Sequence, residues 1–218
     1  VARHLESDHT AFTVQPDALS LLDKLVWHHD QPFADSSAIP TFLVSELTRQ
    51  HVTVALTGDG GDELFAGYER FYAAALMQRL DFVPKSIWHM GAKALKGLPE
   101  GTGYANGVKR GKRFFDAAAL EVGQAYFDLI RVLRADLIMD LLGLSDDLAY
   151  QHFKQVHLCS GQDLAHILRA NQSSYLVDDL LVKADRCSMA ASLEARAPFL
   201  DHELAEFAAT IPLNLKLK

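Results

Sequence analysis

A short run of β-branched and apolar residues, Val52-Thr53-Val54-Ala55-Leu56, leads straight into Thr57-Gly58-Asp59-Gly60-Gly61-Asp62-Glu63-Leu64-Phe65-Ala66-Gly67-Tyr68. A strand of this composition predicts burial on both faces, as in a parallel sheet. The glycine-rich turn then sits at the carboxyl end of the strand, where open α/β sheets place their ligands. Glycines at 58, 60 and 61 let the backbone approach a ligand closely. Asp59, Asp62 and Glu63 supply carboxylates that can hold a metal or act on a reacting group. A solvated turn is the competing reading, because Asp and Gly are ordinary turn residues. An EF-hand loop fails, since it needs ligands at alternate positions and the chain turns apolar at Leu64-Phe65.

The remaining composition narrows the function classes. With 218 residues the chain can bury a sizeable core, and 49% hydrophobic with 22% charged residues is ordinary for a globular protein. A net charge of −7 argues against a dedicated nucleic-acid binder, despite the short basic cluster Lys109-Arg110-Gly111-Lys112-Arg113. No run approaches the roughly eighteen apolar residues of a membrane span. Cys159 and Cys187 stand far apart without metal-ligand spacing, which fits a reducing compartment and a cytoplasmic location. Val1 is not a start methionine and Lys218 follows no terminal signal, so the expectation is an internal piece of a larger protein.

Along the chain, Thr10 to Val14 has the composition of a strand, and Pro16-Asp17 is placed to start a helix that His28-His29-Asp30 breaks. Asp35-Ser36-Ser37 is capping chemistry ahead of a helix through Ile39, Phe42, Leu43 and Leu47. Strand, helix, helix, strand is the order of parallel crossover units. Helical periodicity dominates from Asp62 onward. Phe82 to Gly107 collects Pro and Gly breaks and predicts surface loops. Asp163 to Ala190 is the longest helical pattern, with a break near Gln172-Ser173-Ser174, and Asp201 is placed to cap a last helix. The fold class expected is α/β: a partial parallel sheet followed by a larger, mostly helical portion.

Several near-motifs fail on chemistry. Gly107 to Arg113 is one residue short of a phosphate-binding loop and has arginine where Ser or Thr should meet magnesium. The histidines never reach HExxH spacing. A second constellation lies in Tyr175 to Ala190, where Asp178, Asp179, Lys183, Asp185 and Arg186 share a helix with Leu180, Leu181, Val182 and Met189. Asp179 and Lys183 are four apart and so are placed to pair. An amphipathic helix with a salt-bridged outer face is the plain alternative.

Taken with Asp35-Ser36-Ser37-Ala38-Ile39-Pro40-Thr41 and the stretch from Asp185-Arg186 to Asp201, the glycine-rich turn resembles the synthetase domain of the glutamine-hydrolysing asparagine synthetases, nearly end to end. The resemblance implies a PP-loop (adenine nucleotide α-hydrolase-like) domain that adenylates the side-chain carboxylate of aspartate with ATP, releasing pyrophosphate. Ammonia from an N-terminal glutaminase domain would then attack the β-aspartyl-AMP. It implies ATP and Mg2+ as cofactors, with Asp59 and Asp62 as catalytic residues and tentative magnesium ligands. The backbones of Thr57, Gly58, Gly60 and Gly61 would border the nucleotide. Ser36, Ser37, Glu63, Asp179, Lys183, Asp185 and Arg186 would lie on the substrate side, Lys183 and Arg186 bracing Asp179 and Asp185. A homodimer is the expectation for the assembly.

The Ser-Gly-Gly-x-Asp-Ser PP-loop is absent; Ser160-Gly161-Gln162-Asp163 echoes it only ahead of a helix. By the same resemblance, residues 1–218 make up a partial synthetase domain, with the PP-loop and glutaminase domain upstream and a catalytic lysine downstream. The isolated chain is therefore expected to be inactive. The alternatives are a related amidotransferase acting on another carboxylate, an inactive nucleotide-binding paralogue, and a metal-binding structural domain.

Overall fold

The structure is a computed structural model that describes residues 2–13, 18–97 and 107–217. In chain order its elements are α1 (Ala18–His29), α2 (Ala38–Arg49), β1 (Val54–Leu56), α3 (Gly61–Phe65), α4 (Glu69–Arg79), α5 (Lys85–Lys96) and α6 (Gly107–Ala118). There follow α7 (Val122–Ile130), α8 (Ala135–Leu142), α9 (Leu148–His157), α10 (Leu164–Ser173), a π-helix (Tyr175–Leu181) and α11 (Val182–Ala190). The chain closes with β2 (Glu194–Arg196), a 3-10 turn (Pro198–Leu200), α12 (His202–Thr210) and α13 (Leu213–Lys216). This is the expected mix of a small parallel sheet and a larger helical portion.

The described residues form two compact units. The first joins the segment ending at Thr57 to Leu181–Arg196. Its sheet pairs β1 with β2 in parallel, Val54 against Glu194, Ala55 against Ala195 and Leu56 against Arg196. Helices α1, α2 and α11 pack together over Leu25, Ala38, Phe42 and Cys187, with Phe42 and Cys187 fully buried. Helix α1 ends where the two histidines predict: His29 turns its ring Nδ1 back onto Leu25 O at 2.8 Å, and Asp30 takes a positive φ of 53°.

Two expectations fail in this unit. Residues 10–13 carry no regular structure and lie exposed, while Val14, Pro16 and Asp17 fall outside the described residues. The strand at 54–56 is not buried on both faces, for Leu56 is 74% exposed. Two strands alone offer no sheet wide enough to cover both faces, so β-branched composition here marks pairing rather than burial.

The second unit comprises Gly58–Leu180 with the segment from Ala197 onward. Its main core gathers Phe71, Tyr126, Ile167 and Ala170, all fully buried, around α4, α7 and α10. Phe71 stacks on Tyr126 with ring centroids 6.2 Å apart, and Tyr126 accepts a hydrogen bond from Asn171 Nδ2 at 2.6 Å. Burial pushes the Tyr126 phenol up to about 12, so it stays protonated at neutral pH.

The loops expected over Phe82 to Gly107 give way to α5, whose Trp88 meets Phe114 and Phe115 of α6 edge-on at 6.1 and 5.6 Å. Gly91, which reads as a break in sequence, instead makes room for the Phe115 ring against the helix. Residues 98–106 of that stretch lie outside the described residues. The break near Ser174 is present: Ser174 leaves helical geometry (φ −126°, ψ −81°) and the π-helix begins after it. Asp201 caps α12 through Glu203 N and Leu204 N, and Asp163 caps α10, so the Ser160–Asp163 echo is a helix start and no phosphate loop.

Candidate active site

The glycine-rich turn opens the second unit. Gly61 N donates to Gly58 O at 3.2 Å, closing a four-residue turn with Asp59 and Gly60 at its centre. Gly60 takes φ +90° and ψ −17°, the third-position geometry that type II turns reserve for glycine. A Cβ there would also strike Leu200, coming within 2.8 Å of its Cγ. The Pro198–Leu200 segment therefore packs directly on the turn, and Phe199 covers Gly61. Two of the sequence segments singled out for function meet here. Gly58, by contrast, has nothing within 4 Å of the place a Cβ would take, so space is open beside it.

Helix α3 carries Asp62 and Glu63 in its first turn, where the helix N-terminus favours negative charge. The two acids have opposite fates. Asp62 is exposed and Asp59 half-buried. Glu63 is the buried one, at 1% exposure. Its carboxylate accepts a short hydrogen bond from Tyr68 Oη, and its backbone carbonyl accepts one from Gln172 Nε2 at 3.0 Å. Burial first, then the hydrogen bond to Glu63 and its charge, push the Tyr68 phenol far above its usual range and keep it a donor.

Arg70 lies over the Tyr68 ring at 3.8 Å and over Tyr175 at 4.3 Å, a guanidinium between two aromatic faces. Among the described residues, its Nε and one terminal nitrogen are buried without a hydrogen-bond partner. Glu63 is thus buried and hydrogen-bonded within the second unit through both its carboxylate and its backbone carbonyl.

Asp35, Ser36, Ser37, Lys183, Asp185 and Arg186 belong to the first unit, Asp178 and Asp179 to the second. Lys183 Nζ meets Asp35 Oδ2 at 2.6 Å, with the side chains 12% and 22% exposed. Asp35 also accepts from Ser37 N at 2.8 Å and from Ser37 Oγ at 2.7 Å. Asp35 thus holds the N-cap residue Ser37 ahead of α2. The cap itself makes no side-chain hydrogen bond to the helix, and Ser36 stays exposed. Burial raises the Asp35 pKa, but the bonds from Lys183 and Ser37 and the Lys183 charge outweigh it, leaving the carboxyl below its ordinary value.

The sequence places Asp179 four residues before Lys183; the ion pair Lys183 makes in the structure is with Asp35, and Asp179 lies in the π-helix that precedes α11. Asp178, Asp185 and Arg186 are exposed, and among the described residues Arg186 forms no ion pair with Asp185. Thr57 spends its N–H on Arg196 O at 2.8 Å, extending the β1–β2 pairing by one residue.

Among the described residues no three His, Cys, Asp or Glu side chains cluster to hold a metal. Magnesium in nucleotide enzymes takes one or two carboxylates plus phosphate oxygens, a donor type that aspartates such as Asp59 and Asp62 supply.

A family model described as asparagine synthase matches residues 1–218. The chain belongs to the asparagine synthase family. A provisionally named glutamine-hydrolyzing asparagine synthetase of Mycobacterium tuberculosis is 31% identical over 221 residues, 99% of this chain and 33% of that protein. Glutamine-hydrolyzing asparagine synthetase 1 of Bacillus subtilis is 31% identical over 201 residues, 90% of this chain and 31% of its own length. Amidase chyE of Penicillium rubens is 26% identical over 223 residues, 91% of this chain and 32% of its own. This asparagine synthase-family chain thus spans about a third of the length of the curated relatives it matches. No solved structure matches it significantly. Among the described residues no helix is long and apolar enough to cross a membrane.

Sequence reasoning in this family member missed Tyr68, Arg70, Gln172 and Tyr175 as supports of the turn. Tyr68 closes the glycine-rich motif, Tyr175 opens the second constellation and Gln172 marks the helix break. Their support of the turn shows only in the fold, as does that of Arg70 on α4.

Proposed function

We propose that this chain is the central part of an ATP-dependent amidotransferase that makes asparagine from aspartate. The observation that carries the reading is the turn at Gly58–Gly61 with its two accessible carboxylates, within a chain matched over its full length by the asparagine synthase family. A side-chain carboxylate oxygen of aspartate attacks the α-phosphorus of ATP, and pyrophosphate leaves. Ammonia, supplied from glutamine by a separate domain, attacks the acyl carbon of the β-aspartyl-AMP; AMP leaves and one proton is lost. Asp59 is the base assigned to that proton, for a half-buried carboxylate at the turn can accept it.

Asp59 and Asp62 would hold magnesium, which neutralises triphosphate charge when bound. The backbone at Gly58, Gly60 and Gly61 would border the nucleotide, Gly58 having open space beside it. Ser36, Ser37, Lys183, Asp185 and Arg186 remain assigned to the substrate side; Lys183 does so through Asp35. A cytoplasmic homodimer is the assembly proposed.

The full-length protein tests this: aspartate and glutamine should drive pyrophosphate and AMP release from ATP, and asparagine should appear in equal amount. Asp59→Asn should lower turnover about 10²-fold. Pyrophosphate release that ignores aspartate would overturn the substrate assignment. A second reading, amidation of a different carboxylate, is favoured by the likeness to a protein named amidase and by the absence of arginine from Asp35–Thr41. The 218-residue chain alone should release no pyrophosphate with aspartate.

A further inference from the structure

Gly67 is not glycine for the sake of its backbone. The described glycines with positive φ are Gly60, Gly143 and Gly161, and Gly67 is not among them. Alanine would fit its conformation. What excludes a side chain is Asp62: a Cβ on Gly67 would fall inside the van der Waals shell of Asp62 Oδ1, 2.9 Å from its Cγ and 3.2 Å from its backbone Cα. The Asp62 carboxylate thus occupies the space that any side chain at 67 would take.

The chain works to make this contact. Helix α3 ends after five residues at Ala66, which adopts the left-handed conformation (φ 60°, ψ 40°) although it is not glycine. That conformation costs a non-glycine residue about 1 kcal/mol or more. It folds the chain back so that Gly67 N donates to the carbonyl of Asp62 itself at 3.0 Å. Ala66 is fully buried, and Tyr68 is clamped to Glu63 immediately after, so the fold-back is fixed on both sides of Gly67.

We propose that Gly67 is a positioning residue that seats the Asp62 carboxylate in one rotamer, aimed for the metal–nucleotide ligand. The seating is a statement about this structure. Its service to a nucleotide rests on the function proposed above.

Two cycles of variants test the two parts separately. In the first, thermal unfolding is followed for Gly67→Ala, Asp62→Ala and the double variant. Gly67→Ala should lower the melting temperature, and the Asp62→Ala background should abolish most of that loss, because the colliding carboxylate is gone. An equal loss in both backgrounds would overturn the seating. In the second, kcat/KM for ATP is measured in the full-length protein. Asp62→Asn should cost about 10²-fold, Gly67→Ala at least about tenfold with folding retained, and the double variant little more than Asp62→Asn alone. Gly67→Ala within about twofold of the parent, beside a large Asp62→Asn loss, would overturn the positioning role while leaving the function standing. An unaltered Asp62→Asn would overturn the nucleotide role of Asp62 and the positioning role with it, whatever the stability cycle shows.

Discussion

Lys183→Met isolates the contact that joins two distant segments of the first unit. Methionine keeps most of the apolar stem and removes the ammonium. The lost interaction is a charge-assisted bond of 2.6 Å between side chains 12% and 22% exposed. Fully exposed pairs contribute about 0.2–1 kcal/mol, and breaking a buried pair costs about 3–5. This pair lies between those limits, and Asp35 keeps its two bonds from Ser37. A loss of about 2 kcal/mol follows. With a urea slope of about 2 kcal/mol per molar, the midpoint at pH 7 should fall by about 1 M, read by far-ultraviolet circular dichroism. The pH dependence has a fixed sign. The folded-state pKa of Asp35 lies below its ordinary 3.8, so the ionised pair stabilises above that value and is lost as pH falls through the folded pKa. The difference between parent and variant should therefore stay constant from pH 7 to about 5 and shrink only below about 4. Installed on Asp35→Asn, the same substitution should cost less than half as much. A midpoint within about 0.2 M of the parent, or a full loss in the Asp35→Asn background, would refute the pairing.

Tyr126→Phe removes the hydroxyl that accepts from buried Asn171 and should cost about 1–3 kcal/mol in the second unit, measured by urea unfolding. Gly60→Ala should destabilise by about 1–3 kcal/mol because it meets both a left-handed φ and Leu200, while Gly58→Ala, with open space and no positive φ, should be near neutral by the same assay. Equal effects at the two glycines would contradict the turn geometry. A disulfide-exchange reagent should label one thiol quickly in the native chain. That thiol is Cys159, since Cys187 is fully buried and burial pushes its pKa up to about 11. Fast labelling of both would contradict the packing of α11.

Where a segment's pattern agreed with its packing, the sequence was a reliable guide. The cap at Asp201, the helix beginning at Ala38 and the break at Ser174 are local chemistry, readable from a handful of neighbours. The misreadings share a different origin. Gly91 looks like a break until Phe115, more than twenty residues on, is found lying on it. Val54 and Leu56 have the composition of buried strand residues, yet how much sheet covers them is decided by strands and helices elsewhere.

The site divides along the same line. Which residues are chemically equipped was legible: the turn, its carboxylates and the Asp35 and Lys183 segments all stand out by residue type. Which of them are structural was not. Glu63 and Asp62 are adjacent acids in one motif, and only the fold separates them, burying Glu63 under Tyr68 and leaving Asp62 exposed against Gly67. Lys183 likewise has a candidate partner four residues away in sequence, while its ion pair in the fold is with Asp35, 148 residues away. A motif of this kind mixes groups that meet a ligand with groups that hold those groups in place. The cost of burying the Glu63 carboxylate is offset by the hydrogen bond it accepts from Tyr68.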